Sequence, residues 1–178
     1  KLMEETHRHL ERHGYDGAIL VPGSESLYDF YGGMGYQVCT FLREVKVDLK
    51  NWKNLPKTET MEKTVSTYEI ISKEEFARLR RGYLPEGAVL QEKENLDFLD
   101  QLALFYKGED FLMAATEEEG ILRGVEFLGN EKRFKEMLFL LGYTKGVYRT
   151  IGTKEPFAMY YPLRKEASFP SYFGIPFD

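Results

Sequence analysis

Apolar positions recur along this chain with two different periods, and the changes between them mark its elements. Leu2, Met3, Thr6 and Leu10 fall on one face of a helical projection of residues 1–13, with Glu4, Arg8, Glu11 and Arg12 on the other, which predicts an amphipathic helix stopped by Gly14. The unbroken run Ala18-Ile19-Leu20-Val21 predicts a short buried strand. Ser24 is placed to cap a second helix, Gly32, Gly33 and Gly35 end it early, and residues 36–49 alternate as a long strand. Ser72-Lys73-Glu74-Glu75 fits a capping box, with Ile71 and Phe76 as its hydrophobic staple, and predicts a helix over 73–81. Leu99, Leu102, Ala103 and Tyr106 keep a helical period over 95–107, closed by Gly108.

Strands are predicted over 111–116 and 121–128, joined as a hairpin through Glu117-Glu118-Glu119-Gly120. Asn130 is placed to cap a helix with Phe134, Met137, Leu138 and Leu141 as its buried stripe and Gly142 as its stop, followed by strands over 147–150 and 157–163. The aromatic stretch 169–178 is too apolar for a loose terminus and is expected to dock. Residues 50–67, with Pro56 and several Lys and Thr, read as a linker between a region 1–49 and a region 68–178. Leu10-x-x-x-Gly14-Tyr15 and Leu138-x-x-x-Gly142-Tyr143 stand in the same place before a strand, either as a remnant of duplication or as two ordinary α/β connections.

Composition narrows the class. With 43% hydrophobic and 15% aromatic residues, 178 residues can bury a sizeable core. A net charge of −5 and a pI near 5.4 oppose a general affinity for nucleic acid, which depends on clustered Lys and Arg. The single cysteine, Cys39, leaves no internal disulfide and reads as a buried thiol, so the expected location is cytoplasmic. The longest apolar runs, 18–21 and 137–141, are far below the roughly 20 residues that span a bilayer, and no membrane association is expected.

Several polar clusters are weighed and set aside. His9 and His13 have a spacing that could hold a metal, but His9-x-Glu11-x-His13 is not a zincin pattern, and no metal site is expected. Glu117, Glu118 and Glu119 read as a solvated hairpin tip. Tyr148, Arg149, Tyr160 and Tyr161 are read as strand residues that pack a core, with cavity lining as the alternative.

The stretch Ser24-Glu25-Ser26-Leu27-Tyr28-Asp29-Phe30-Tyr31, followed by Gly35-Tyr36, carries the chemistry. It resembles the cofactor helix of the GNAT superfamily of N-acetyltransferases, whose pattern Asn-x-x-Ala-x-x-x-Tyr is followed by Gly and an aromatic residue. Ser24 stands at the Asn position, Leu27 at the Ala position and Tyr31 at the Tyr position, so Ser and Leu depart from the pattern while the aromatic spacing is kept. The resemblance implies acetyl-CoA as cosubstrate, with Ser24, Leu27, Tyr28 and Tyr31 along its pantetheine arm. It also implies Tyr31 as the general acid that protonates the departing thiolate, a task suited to a phenol with an ordinary pKa near ~10.

In that family a loop of pattern Arg/Gln-x-x-Gly-x-Gly/Ala binds pyrophosphate before the helix that residues 1–13 resemble. Lys1 already lies in that helix, so these residues are expected to be the C-terminal portion of a two-unit, Eis-like parent and to be inactive alone. The fold implied is mixed α/β (α+β): a partial GNAT unit and then a degenerate GNAT-like unit, built on a mixed sheet flanked by helices. In the degenerate unit, Gly129-Asn130-Glu131-Lys132-Arg133 would match the phosphate loop but carries an acid in its place. Eis-type enzymes use their terminal carboxylate as a base, which makes Asp178 a second catalytic candidate. The expected activity is acetyl transfer to a small-molecule or peptide amine, with homo-oligomerisation open; the alternative is a non-catalytic binding or regulatory module that kept the fold.

Overall fold

Each helix of this chain begins and ends where local chemistry allows, and the sheet is then assembled from strands far apart in sequence. The computed structural model describes residues 1–50 and 67–175. Asp178 and most of the predicted linker lie outside the described residues. The elements of the first half are α1 (Leu2–Arg12), β1 (Gly17–Leu20), α2 (Glu25–Gly32), β2 (Gln37–Asp48), β3 (Glu69–Ile71) and α3 (Lys73–Tyr83). Those of the second are α4 (Glu94–Asp100), β4 (Leu104–Lys107), β5 (Phe111–Glu118), β6 (Ile121–Gly129), α5 (Arg133–Leu140), β7 (Lys145–Ile151) and β8 (Glu155–Pro162). The class is mixed α/β. Among the described residues no helix is long and apolar enough to cross a membrane.

The chain divides into two compact units that interleave in sequence. Unit 1 takes Lys1–Leu42, Pro85–Leu90 and Ile151–Asp178, and unit 2 takes Arg43–Leu84 and Gln91–Thr150. This differs from the consecutive division at 50–67 drawn from sequence, and the reason is long-range strand pairing. In unit 1, β8 lies between β1 and β2 and is antiparallel to both, with Gly17 opposite Pro162 and Gln37 opposite Tyr160.

Three helices stop by the same device. After α1, the Gly14 N–H donates to the Glu11 carbonyl (3.0 Å) and the Tyr15 N–H to that of Leu10 (3.1 Å). After α2, Gly35 donates to Gly32 (3.0 Å) and Tyr36 to Tyr31 (3.1 Å); after α5, Gly142 donates to Phe139 (3.2 Å) and Tyr143 to Leu138 (2.8 Å). The three glycines have φ of +81°, +93° and +80°, the left-handed conformation that this cap requires and that a Cβ disfavours. The recurring Gly-Tyr pairs are thus helix stops, and the 10–15 and 138–143 stretches agree bond for bond.

Unit 2 has the strand order β7-β6-β5-β4-β3. Pairing is parallel between β6 and β7 and antiparallel from β6 to β3, so its sheet is mixed. The β5–β6 turn is the two residues Glu119 and Gly120, both at positive φ (+52° and +76°), the geometry that matches the twist of a tight hairpin. Half of the capping box forms: the Ser72 hydroxyl accepts from the Glu75 N–H at 3.3 Å, while the Glu75 carboxylate accepts from Arg78.

One register shift in β6 decides which residues face which way. Ala114 pairs with Glu126 but Ala115 pairs with Gly124, so Val125 is an extra residue. Leu122 and Phe127 therefore join one core, with Phe111, Met113, Phe134, Leu138 and Tyr148. Glu126 is instead turned towards α3, where Arg80 waits. Two nitrogens of Arg80 donate to its carboxylate at 2.6 and 2.8 Å, and both side chains are almost wholly buried, 2% and 1% exposed.

One expected element changes type. The helix read over 95–107 ends at Asp100, and residues 104–107 are β4, paired on both sides. Leu102 and Leu104 are exposed and Phe105 and Tyr106 buried, a pattern that cross-strand pairing with β3 and β5 sets over the local helical period.

Candidate functional site

The sequence-predicted site residues lie on α2 and its approach. Ser24 occupies the N-cap position, but its hydroxyl accepts from no backbone N–H of the helix; it lies 3.1 Å from the hydroxyl of Ser26 instead. Ser24 is exposed and Leu27 half-buried. Tyr28 is half-buried, and its hydroxyl donates to the carbonyls of Pro156 (2.9 Å) and Phe157 (3.1 Å), fastening α2 to β8. Burial pushes this phenol above its ordinary pKa. Tyr28→Phe removes both bonds and is expected to lower stability by about 1 kcal/mol, read as a melting temperature lower by roughly 3 °C in calorimetry.

Tyr31 differs from its neighbours. It is half-buried, its ring meets Phe30 and Tyr36 edge-on (centroids 5.2 and 5.8 Å), and its hydroxyl has no hydrogen-bond partner among the described residues. Tyr36, one helix stop away, is 4% exposed and shares a 2.8 Å hydrogen bond with His7 Nε2. His7 in turn stacks on Tyr161, with centroids 4.0 Å apart and planes 17° apart. Burial lowers the His7 pKa and raises that of Tyr36, with Tyr31 and Tyr161 adding to the latter, so both groups are held neutral at pH 7. The fold thus gathers His7, Tyr31, Tyr36 and Tyr161 from α1, α2, the turn that ends α2, and β8.

His7 and Tyr161 were not predicted as site residues. The helical projection ranks Thr6 above His7, yet in α1 Met3, His7 and Leu10 are the half-buried side, and Thr6 is exposed with its hydroxyl on the Leu2 carbonyl. His13 is exposed and donates from Nδ1 to the His9 carbonyl at 2.8 Å. Among the described residues no group of three or more His, Cys, Asp or Glu side chains converges. Cys39 is half-buried, gives its S–H to the Ala158 carbonyl at 3.4 Å, and has its pKa pushed up by burial to about 11, which leaves it unreactive as a thiolate.

The loop of unit 2 that would match a phosphate cradle is closed on itself. The amide N–H groups of Asn130, Lys132, Arg133 and Phe134 are all donated to groups of unit 2: the Asp110 carbonyl, the Asn130 side chain, and the Asn130 and Glu131 carbonyls. The Glu131 carboxylate accepts from the Tyr148 hydroxyl at 2.5 Å and pairs with Arg43. Burial, with Glu131 adding, pushes the Tyr148 pKa up. Arg133 is held by Asp110 at 2.9 Å and by Glu136. An anion arriving here would meet a carboxylate and spent amides. Two of the three hairpin acids are likewise engaged: Glu117 accepts from Tyr143, whose pKa rises to about 12 mainly through that bond, and Glu118 pairs with Arg123.

No protein-family model matches this sequence, and no curated protein sequence is significantly similar to it. Its fold is similar to several solved structures. One is a conserved protein of unknown function from Enterococcus faecalis V583, described as a probable N-acyltransferase (TM-score 0.60, 14% identity, 90% of this chain and 49% of that one). Another is a GCN5-related N-acetyltransferase from Kribbella flavida (TM-score 0.58, 13% identity, 89% and 46%). A third is Eis1 from Mycobacterium abscessus (TM-score 0.58, 8% identity, 89% and 50%). The chain spans about half the length of these structures, and at such identities the likeness is one of fold: this chain has the fold of the GCN5-related N-acetyltransferases.

Proposed function

We propose that this chain is part of an acetyl-CoA-dependent N-acetyltransferase, in which unit 1 carries one wall of the active site and unit 2 is non-catalytic. The observation that carries the reading is the state of Tyr31. Of the three tyrosines along α2 and its stop, Tyr28 and Tyr36 have their hydroxyls engaged, whereas that of Tyr31 has no partner among the described residues. A half-buried phenol held by ring contacts and free at its oxygen can donate a proton to a substrate atom. In acetyl transfer the amine nitrogen bonds to the thioester carbon, the carbon–sulfur bond breaks, the thiolate takes the proton of Tyr31, and the proton that the amine nitrogen gives up passes through solvent to restore the phenol. The closed loop of unit 2, with its amides spent and Glu131 in the anion's place, supports assigning that unit no cofactor.

The test is isothermal titration of acetyl-CoA into the full-length protein. Saturable binding at one site per chain, kept when Glu131 is changed to Gln, is the expected result. Absence of binding would sink the reading and favour a binding or regulatory module built on the same fold.

A further inference from the structure

Tyr160 and Tyr161 are consecutive on β8, so their side chains leave opposite faces of the sheet. Tyr161 meets His7; Tyr160 lines a cavity in unit 1 of about 570 Å³, within the roughly 300–1,000 Å³ typical of small-molecule sites. Tyr160 is only 6% exposed. Its hydroxyl nevertheless has no hydrogen-bond partner among the described residues, and no fully enclosed side-chain oxygen or nitrogen is left without one, so this oxygen opens into the cavity. Gly17 makes the arrangement possible: a Cβ there would lie 2.1 Å from both Cζ and the hydroxyl oxygen of Tyr160. Phe169 braces the ring edge-on at 5.3 Å. Burial, with Asp16 and Cys39 nearby, pushes the phenol above its ordinary pKa, so it stays neutral.

The outer wall consists of two segments without regular structure, clamped together. The Val89 N–H donates to the Tyr172 carbonyl (2.9 Å), the Ser171 N–H to that of Gly87 (3.1 Å), and the Ser171 hydroxyl to that of Glu86 (2.6 Å). Ile19, Val89 and Pro170 make the lining partly apolar. Three charged groups border it. Arg164 is already engaged, 3.2 Å from Asp16 and donating to the Gly14 carbonyl at 2.8 Å. Glu166 has no ion-pair partner among the described residues, which leaves the rim with one uncompensated negative charge.

We propose that this cavity binds a small molecule bearing an ammonium group on an apolar body, with Glu166 facing the charge and the Tyr160 hydroxyl completing the hydrogen bonding. The inference does not rest on acetyl transfer, because binding alone tests it. The full chain is titrated with n-hexylammonium, 1-hexanol and hexanoate, which share one body and differ in charge, while the amide resonances of Gly17 and Val89 are followed by NMR. The ammonium is expected to saturate these two amides in the millimolar range suited to so small a ligand, about fivefold more tightly than hexanoate. Glu166→Gln, on an exposed side chain that folding does not need, should abolish that preference and leave hexanol unchanged. Tyr160→Phe should weaken the ammonium by roughly three- to tenfold with the fold intact by circular dichroism. Equal affinities for the three probes, no saturation of the two amides, or a Glu166→Gln protein with its preference unchanged overturns the proposal.

Discussion

Glu126→Ala is expected to destabilise the protein by about 3–5 kcal/mol. The cause is the group left behind. Arg80 is 2% exposed and gives two nitrogens to the Glu126 carboxylate, so removing the carboxylate strips a buried guanidinium of two charge-assisted hydrogen bonds and of the negative charge that faces them. Calorimetry should show a melting temperature lower by roughly 10 °C. The pair itself need not be worth that much, since its desolvation offsets most of its attraction. The double variant Arg80→Met with Glu126→Leu should therefore recover most of the loss, and a double variant as unstable as Glu126→Ala would show that the pair, not the charge left buried, matters.

Tyr31→Phe should behave in the opposite way, costing activity and not stability. Its hydroxyl makes no hydrogen bond among the described residues, and phenylalanine keeps the edge-on contacts with Phe30 and Tyr36. The melting temperature should stay within about 1 °C of the parent, as for a substitution that removes no folding interaction. Under the acetyl transfer proposed above, loss of this hydroxyl in the full-length protein should lower kcat by about 100-fold with KM for acetyl-CoA little changed, the signature of an interaction made in the transition state. An unchanged kcat in a folded variant would remove Tyr31 from the chemistry. A loss of stability instead would assign the hydroxyl a structural partner.

Much of this was legible in the residues because its causes are local. Gly14, Gly35 and Gly142 each end a helix through bonds reaching back no further than five residues, and the Ser72 cap and the Glu119-Gly120 turn are decided within four. Tyr31 was singled out over Tyr28 by the resemblance to the GNAT cofactor helix; in the structure the two phenols differ, since Tyr28 is held by carbonyls of residues 156 and 157. The helical period over 95–107 misled because β4 is made by its neighbours β3 and β5, which no local window contains. Arg80 and Glu126 gave no signal of their pairing: Arg80 stands between other arginines in α3, Glu126 stands among apolar residues of β6, and only the extra residue in β6 turns Glu126 inward.

Amino-acid order by itself therefore determined where α1, α2 and α5 stop and where α3 starts, which turn closes the hairpin, and that a phenol stands at the end of α2, because backbone φ and capping bonds are fixed by residues a few positions apart. Tertiary structure alone decided that β8 completes the unit begun by residues 1–42, that His7 and Tyr161 join Tyr31 and Tyr36, that Arg80 meets Glu126, and that a cavity opens beneath Tyr160. Those outcomes depend on pairing and packing between segments up to about 150 residues apart, where the stabilisation comes from surfaces buried together and leaves no pattern in either segment alone.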